Sequence, residues 1–212
     1  MTTLSPTARS TVQRGKHRAV TERSRLYEIL DAGLICHLAV EVDGAPVVLP
    51  TAYGRHGNTL YLHGSTGARS LRELIAGKPV CVAVTLVDGV VYSRSVFHHS
   101  MNYRSAVVHG TAELAEDVEL GLRAIVDHVS PGSWDYARNP NKKEIAKTAV
   151  LAIDLTEASV KVREGGPGEE PEDLAADAVW AGVLPLHTTW GSPISDDATS
   201  HDVPAHVSER GR

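Results

Sequence analysis

The chain has 212 residues, 42% of them hydrophobic, with 21 Lys plus Arg against 26 Asp plus Glu and two cysteines. A chain of this length buries roughly 70% of the surface its unfolded form exposes, so a single soluble globular domain needs neither disulfides nor a structural metal. The net charge of -5 and the lack of a Lys/Arg run leave no footprint for nucleic acid, and no segment approaches the ~18 apolar residues of a membrane span or carries a secretory leader's apolar core, which makes a cytoplasmic protein the expectation.

Residues 1–18 and 197–212 are polar and aperiodic and read as disordered tails around one domain at 19–196. Thr21 is placed to cap a short helix carrying Leu26, Ile29 and Leu30, stopped by Gly33. Two strands follow, 34–42 and 46–53, joined at Asp43-Gly44, a dipeptide suited to a tight hairpin. After a turn at Gly57-Asn58 comes a strand at 59–63, then a helix through Leu71, Leu74 and Ile75 that Ser65 or Thr66 could cap. Strands at 80–86 and 90–95 read as a hairpin turning at Asp88-Gly89, with a further strand at 103–114.

The clearest helix carries Val118, Leu122, Ile125, Val126 and Val129 on one apolar stripe and ends at Pro131-Gly132. A short helix near 142–147, strands at 149–155 and 158–163, a glycine-rich loop at 165–168 and a last strand at 178–186 complete the pattern. Short strands joined by tight turns, with helices inserted between pairs, predict a mainly β protein with some α: an antiparallel barrel plus helices, rather than a parallel βαβ sheet. Cys36 and Cys81 lie in apolar runs without CxxC spacing and read as small buried hydrophobes.

Two polar stretches interrupt the apolar pattern. His63-Gly64-Ser65-Thr66-Gly67-Ala68-Arg69-Ser70 leaves a strand and enters a helix. It fits an anion site, with glycines that let N–H groups converge, hydroxyls at the helix start and Arg69 beside the positive end of the dipole. It fits equally an ordinary capped helix with a solvated arginine. His98-His99-Ser100-Met101-Asn102-Tyr103-Arg104-Ser105 is wedged between apolar strands and reads as either a ligand contact or an exposed loop. Adjacent histidines cannot easily face one ion, and HxxxH, HExxH, GxSxG, GxGxxG after a strand and the Walker pattern are absent, so no metal site is expected. Glu113, Glu116, Asp117 and Glu119 gather at a helix start, where the dipole favours them without catalysis.

In their joint order these stretches, with Val47-Val48-Leu49-Pro50-Thr51 and Val179-Trp180-Ala181-Gly182-Val183-Leu184-Pro185-Leu186, resemble the pyridoxamine 5'-phosphate oxidase-like FMN-binding split-barrel family. The branch they resemble is the flavin-nucleotide-binding one that includes nitroimidazole-resistance proteins. The resemblance implies a six-stranded antiparallel split barrel and a homodimer with FMN between subunits. It places Val48, Leu49, Pro50 and Thr51 along the flavin ring, chiefly through backbone groups. It places His63, Gly64, Ser65, Arg69 and Ser70 at the phosphate end, and Ser100, Asn102, Tyr103, Arg104 and Ser105 along the site, with Trp180 and Trp190 closing it.

His63 matches a histidine beside the flavin, as a proton donor or as a hydrogen-bond partner only, since an imidazole can donate or accept at cellular pH. The C-terminal Arg-Xaa-Arg-Leu ending of authentic pyridoxamine phosphate oxidases is replaced here by Trp190-Gly191-Ser192-Pro193, which argues against that reaction. The implied activity is reduction of a small organic acceptor, such as a nitroaromatic, with NAD(P)H as a transient donor to bound FMN. The alternatives are a flavin-nucleotide carrier without turnover and a split barrel that binds haem or a deazaflavin, the haem option being invited by His98-His99.

Overall fold

A computed structural model of the chain describes residues 3–4 and 7–210. In chain order it contains β1 (Ala19–Val20), α1 (Arg23–Ala32), β2 (Ile35–Val42), β3 (Ala45–Ala52), β4 (Gly54–His56), β5 (Thr59–Ser65), α2 (Arg69–Ile75), β6 (Pro79–Tyr92) and β7 (Ser100–Leu114). Then come α3 (Val118–Val129), α4 (Ser133–Tyr136), α5 (Lys142–Ala146), β8 (Thr148–Asp154), β9 (Ala158–Arg163), α6 (Pro171–Ala176), β10 (Gly182–Pro185) and α7 (Ala205–Ser208). Two short 3₁₀ turns, Lys16–Arg18 and Val96–His98, precede β1 and β7.

All strand pairings are antiparallel and run β3-β2-β6-β7-β8-β5-β4, with β9 on β7, β1 on β9 and β10 on β6. The mainly β architecture with helices is the expected one. It holds ten strands rather than the six implied by the resemblance, and three of the ten, β1, β4 and β10, are only two, three and four residues long. The sheet splits where long strands share an edge. β7 gives one edge to β9 over Tyr103–Val108 and then to β8 over Ala112–Leu114. β6 gives one edge to β2 over Cys81–Ala83 and to β10 over Gly89–Tyr92.

The period-2 alternation of β2, β6, β7 and β9 sends Cys36, Leu38, Val40, Val82, Val84, Ala106, Val108 and Val160 inward. There they bury with Leu26, Ile29 and Leu30 of α1 and with Leu151 and Ile153 of β8. The stripe on α3 supplies a second cluster, Leu122 and Ile125, with Tyr61, Trp134 and Val150. Gly54 lets α3 come this close: a Cβ there would lie 2.2 Å from the Ala124 carbonyl oxygen.

Several local expectations change in the fold. Asp88-Gly89 turns no hairpin. It lies within the single strand β6, whose register with β7 shifts between Val87 and Gly89. Gly89 is needed for close approach, since a Cβ would meet the Leu184 carbonyl of β10 at 2.8 Å. α1 begins at Arg23 after Glu22, without a side-chain cap; the Thr21 carbonyl instead accepts from Leu4 N at 2.7 Å. The last strand is confined to β10 because only Gly182–Pro185 finds a partner, on β6.

The polar character of residues 1–18 suggests a tail, but its described part packs on the domain. Leu4 and Ser10 are buried. Arg9 binds Glu157, in the β8–β9 turn, through Nε at 2.8 Å and Nη2 at 2.6 Å. Near the other end, the ring of His206 on α7 lies 5.0 Å from that of Tyr136. Cys36 is buried and Cys81 half-buried, both as free thiols. None of the described helices is long and apolar enough to cross a membrane.

Candidate functional site

Residues directly opposite in an antiparallel ladder share a face, so the register defines the outer surface of the sheet. Val48 and Pro50 of β3 stand opposite Ala39 and His37 of β2, which stand opposite Cys81 and Ala83 of β6. Further along, Thr85 and Val87 of β6 face Ser105 and Tyr103 of β7, and those face Lys161 and Arg163 of β9. Four of the expected contact residues, Val48, Pro50, Tyr103 and Ser105, thus share one outer surface with His37. Leu49 and Thr51 pair with Leu38 and Cys36 and so point to the core side. They can meet an outer ligand only through backbone groups.

Between the β2 and β10 segments, the edge of β6 opens into a cleft of about 600 Å³, bordered among others by Leu34, Ile35, His37, Thr85, Arg104 and His187. Of the expected residues only Arg104 lines it. Its guanidinium is held by Asp88, with Nε to Oδ2 at 2.9 Å and Nη2 to Oδ1 at 2.7 Å. His37 and His187 were missed. His37 was within reach of the alternation rule, because it stands out of phase with Cys36, Leu38 and Val40. Nothing local marks His187.

The His63 turn differs from the expected cradle. Its loop N–H groups already have protein acceptors: Thr66 N donates to Lys147 O at 3.1 Å and Ala68 N to Ser65 O at 2.9 Å. Gly67 N donates to Ser65 Oγ at 3.3 Å. Neither Ser65 nor Thr66 caps α2, whose N-cap is Ala68. Gly64 packs near Leu71. Arg69 and Ser70 open the helix, and Arg69 forms an exposed ion pair with Asp43 of the β2–β3 turn.

His63 faces outward opposite Val150. It borders a separate groove of about 300 Å³ with Leu122, Arg138, Pro140, Glu144 and Ile145. There Arg138 and the Asn141 N–H hold the Glu144 carboxyl down at about 2.

The second stretch divides. Ser100 starts β7 opposite Val91. Asn102 is buried and donates to Gly165 O at 3.2 Å, so it ties down the glycine loop. His98 lies 3.3 Å from Glu170, and His99 Nδ1 lies 3.2 Å from Ser95 O. Trp180 packs on Tyr92 at 5.9 Å. Trp190 lies apart, beneath Arg210 at 4.0 Å. Among the described residues, no hydrogen bond or ring contact joins the His63–Ser70 turn to the Tyr103 or Trp180 groups.

The pyridoxamine 5'-phosphate oxidase family model matches residues 22–162. The flavocytochrome Anf3 from Azotobacter vinelandii is 34% identical, covers 97% of each chain and superposes with a TM-score of 0.90. A FAD and haem binding protein from Mycobacterium smegmatis is 40% identical over 92% of this chain and 97% of its own, with a TM-score of 0.87. A protein from Bacteroides thetaiotaomicron named for 5-nitroimidazole antibiotic resistance shares the fold at 22% identity, over 68% of this chain and 86% of its own, with a TM-score of 0.57. Among curated proteins none matches.

Proposed function

The chain belongs to the pyridoxamine 5'-phosphate oxidase family, and from that premise we propose that it binds a flavin nucleotide, FMN in the first instance, and passes electrons from NAD(P)H to a small organic acceptor such as a nitroaromatic. The observation that carries this reading is the outer face on which Val48, Pro50, Tyr103 and Ser105 stand with His37, beside an open cleft of about 600 Å³. That volume is within the usual range of small-molecule sites.

The donor set fits a flavin. Backbone groups of Val48–Thr51 on the free edge of β3 would meet the polar edge of the ring. Arg69, Ser70 and Ser65 would meet the phosphate. Tyr103, Ser105 and Arg104 would line the site, with Trp180 over its open side. When bound, the flavin supplies the hydride and single-electron chemistry. The chain's part is to orient the acceptor, exclude water and hold a proton on the His63 imidazole. Because the His63 turn and the Tyr103 group stay apart in one chain, a homodimer is proposed in which each site draws on both subunits. Exposed Val48, Met101, Trp180 and Leu184 are the apolar surface such a contact would cover.

A second reading adds haem to the flavin. It is favoured by the names of the two proteins similar to this chain over more than nine-tenths of its length. His98 and His99 serve it poorly, since Glu170 and Ser95 O engage them. His63, outward-facing in a groove with Leu122, Pro140, Ile145 and the Arg138–Glu144 ion pair, is the better-placed iron ligand.

The absorption spectrum of the purified protein, with the released ligand identified by mass, tests both. Flavin bands with released FMN or FAD support the first reading, and an added Soret band lost in His63→Ala supports the second. A colourless protein that ignores added FMN, FAD and haem overturns both. A flavoprotein that never oxidises NADH or NADPH with any acceptor is a carrier and no oxidoreductase.

A further inference from the structure

At the β9 end of the outer face, three cations gather without an acid. Lys161 and Arg163 are two apart on β9, so their side chains leave the same face about 7 Å from one another, opposite Ser105 and Tyr103. Arg18 ends the 3₁₀ turn that leads into β1, whose Ala19 pairs with Lys161. Both flank Gly15: a Cβ placed there would be 3.6 Å from Arg18 Cδ and 4.0 Å from Lys161 Nζ.

The other surface arginines of the described chain commonly rest on carboxylates, as Arg55 does on Asp31 at 2.6 Å and Arg104 on Asp88 at 2.7 Å. Arg163 departs from this, as does Arg23, which donates to Asn58 Oδ1 and Leu155 O. Arg163 donates to neutral acceptors only, the Asn102 side chain and the carbonyls of Gly165 and Gly166, both at 3.0 Å. Arg18 Nε is buried with no partner. Among the described residues, neither arginine nor Lys161 forms an ion pair. Burial and the charge of Arg18 push the Arg163 guanidinium below its usual range, the direction expected of cations that face one another. Like charges held together beside an orphaned buried donor are complementary to a multiply charged anion.

We infer that Arg18, Lys161 and Arg163 form a phosphate site that takes a phosphate group of a nucleotide lying along the outer face past Tyr103 and Ser105. This rests on the flavin-nucleotide reading and extends it to a second phosphate, separate from the Arg69 turn. Two sources share that chemistry, the adenosine-side phosphate of FAD and the 2'-phosphate of NADPH.

The test is calorimetric titration of sodium pyrophosphate, FMN, FAD, NADH and NADPH into the wild-type protein, the Arg18→Gln/Lys161→Gln variant and a control, Arg25→Gln, at an exposed α1 arginine paired with Glu28. The pair variant should bind pyrophosphate about tenfold more weakly or worse, while the control keeps wild-type pyrophosphate affinity. Weaker FAD binding with FMN unchanged assigns the site to the flavin; weaker NADPH binding with NADH unchanged assigns it to the donor. Lys161→Gln alone, which removes no structural hydrogen bond, repeats the measurement if the pair variant does not fold. Pyrophosphate affinity unchanged in the variants overturns the site, even where flavin binds normally. Failure of the wild type to bind any flavin, with pyrophosphate binding still dependent on Arg18 and Lys161, overturns the flavin reading and leaves the anion site standing.

Discussion

Arg104 and Asp88 grip each other across the bulge of β6, with Nε to Oδ2 at 2.9 Å and Nη2 to Oδ1 at 2.7 Å. The pair converts an irregularity in the strand into one wall of the cleft: the extra residue points its carboxylate at the arginine that stands one strand over. Asp88 is the main reason the Arg104 guanidinium is held above its usual range.

Removing that carboxylate should loosen the cleft rather than the fold. Both side chains are about one-third exposed, so solvent screening limits the pair to about 0.5–1 kcal/mol. Asp88→Asn is expected to lower the urea midpoint by a correspondingly small amount, and Asp88→Asn with Arg104→Met should cost less than the two single changes added together. Strict additivity in that cycle would show the pair to be energetically idle.

Gly54 and Gly57 offer a contrast between backbone contact and backbone conformation. At Gly54 a Cβ would fall 2.2 Å from the oxygen and 2.3 Å from the carbon of the Ala124 carbonyl. A helix backbone cannot give way as a side chain can, so Gly54→Ala should cost about 1–3 kcal/mol or more and displace α3. At Gly57, with φ +59°, no atom lies within 4 Å, and Gly57→Ala should cost about 1 kcal/mol through conformation alone. Thermal melts that place Gly57→Ala below Gly54→Ala would contradict the packing of α3 on β4.

Glu157 anchors the N-terminal segment. Arg9 and the Thr7 hydroxyl hold its carboxyl down at about 2, against 4.5 for an ordinary glutamate. The sign follows: a depressed carboxylate stabilises the packed form fully above about pH 4.5 and loses that contribution as pH falls toward about 2. Limited trypsinolysis at neutral pH should cut after Arg9, Arg14 and Arg18 faster in Glu157→Gln than in wild type. Acid titration followed by amide exchange at residues 7–11 should show protection declining over that same window in wild type only.

Burial also decides the thiols. It pushes Cys36 up to about 12 and raises Cys81, so neither presents much thiolate near neutral pH. Native protein should react with a disulfide reagent at Cys81 slowly and at Cys36 hardly at all, with both reacting once it is unfolded. Rapid reaction of Cys36 in the native state would mean that β2 opens on that timescale.

Much of the fold could be read locally. The α3 stripe, the Asp43-Gly44 hairpin and the alternation of β2 and β7 follow from side-chain periodicity, which depends only on backbone geometry. Asp117 at the start of α3 accepts from Leu120 N at 2.9 Å, a structural role that its place at a helix start foretold. Asp88-Gly89 misled because the same dipeptide suits a tight turn and a bulge, and only the neighbouring strand selects between them. In β6 it is the length of β7 that does so, by continuing to pair through Val90 and Val91.

The candidate site was legible as stretches of chain and hardly at all as a surface. The sequence alone determined which residues alternate inward, which turns are tight and which polar stretches break the apolar pattern, because these depend on neighbours within a few positions. The tertiary structure alone decided that Val48, His37, Ser105 and Lys161 share one face, that the N–H groups of Thr66, Gly67 and Ala68 are spent on protein acceptors, and that Arg18 meets Lys161 and Arg163 without an acid. These relationships are set by strand register between segments far apart in the chain, and a period of two is silent about which strand lies next to which.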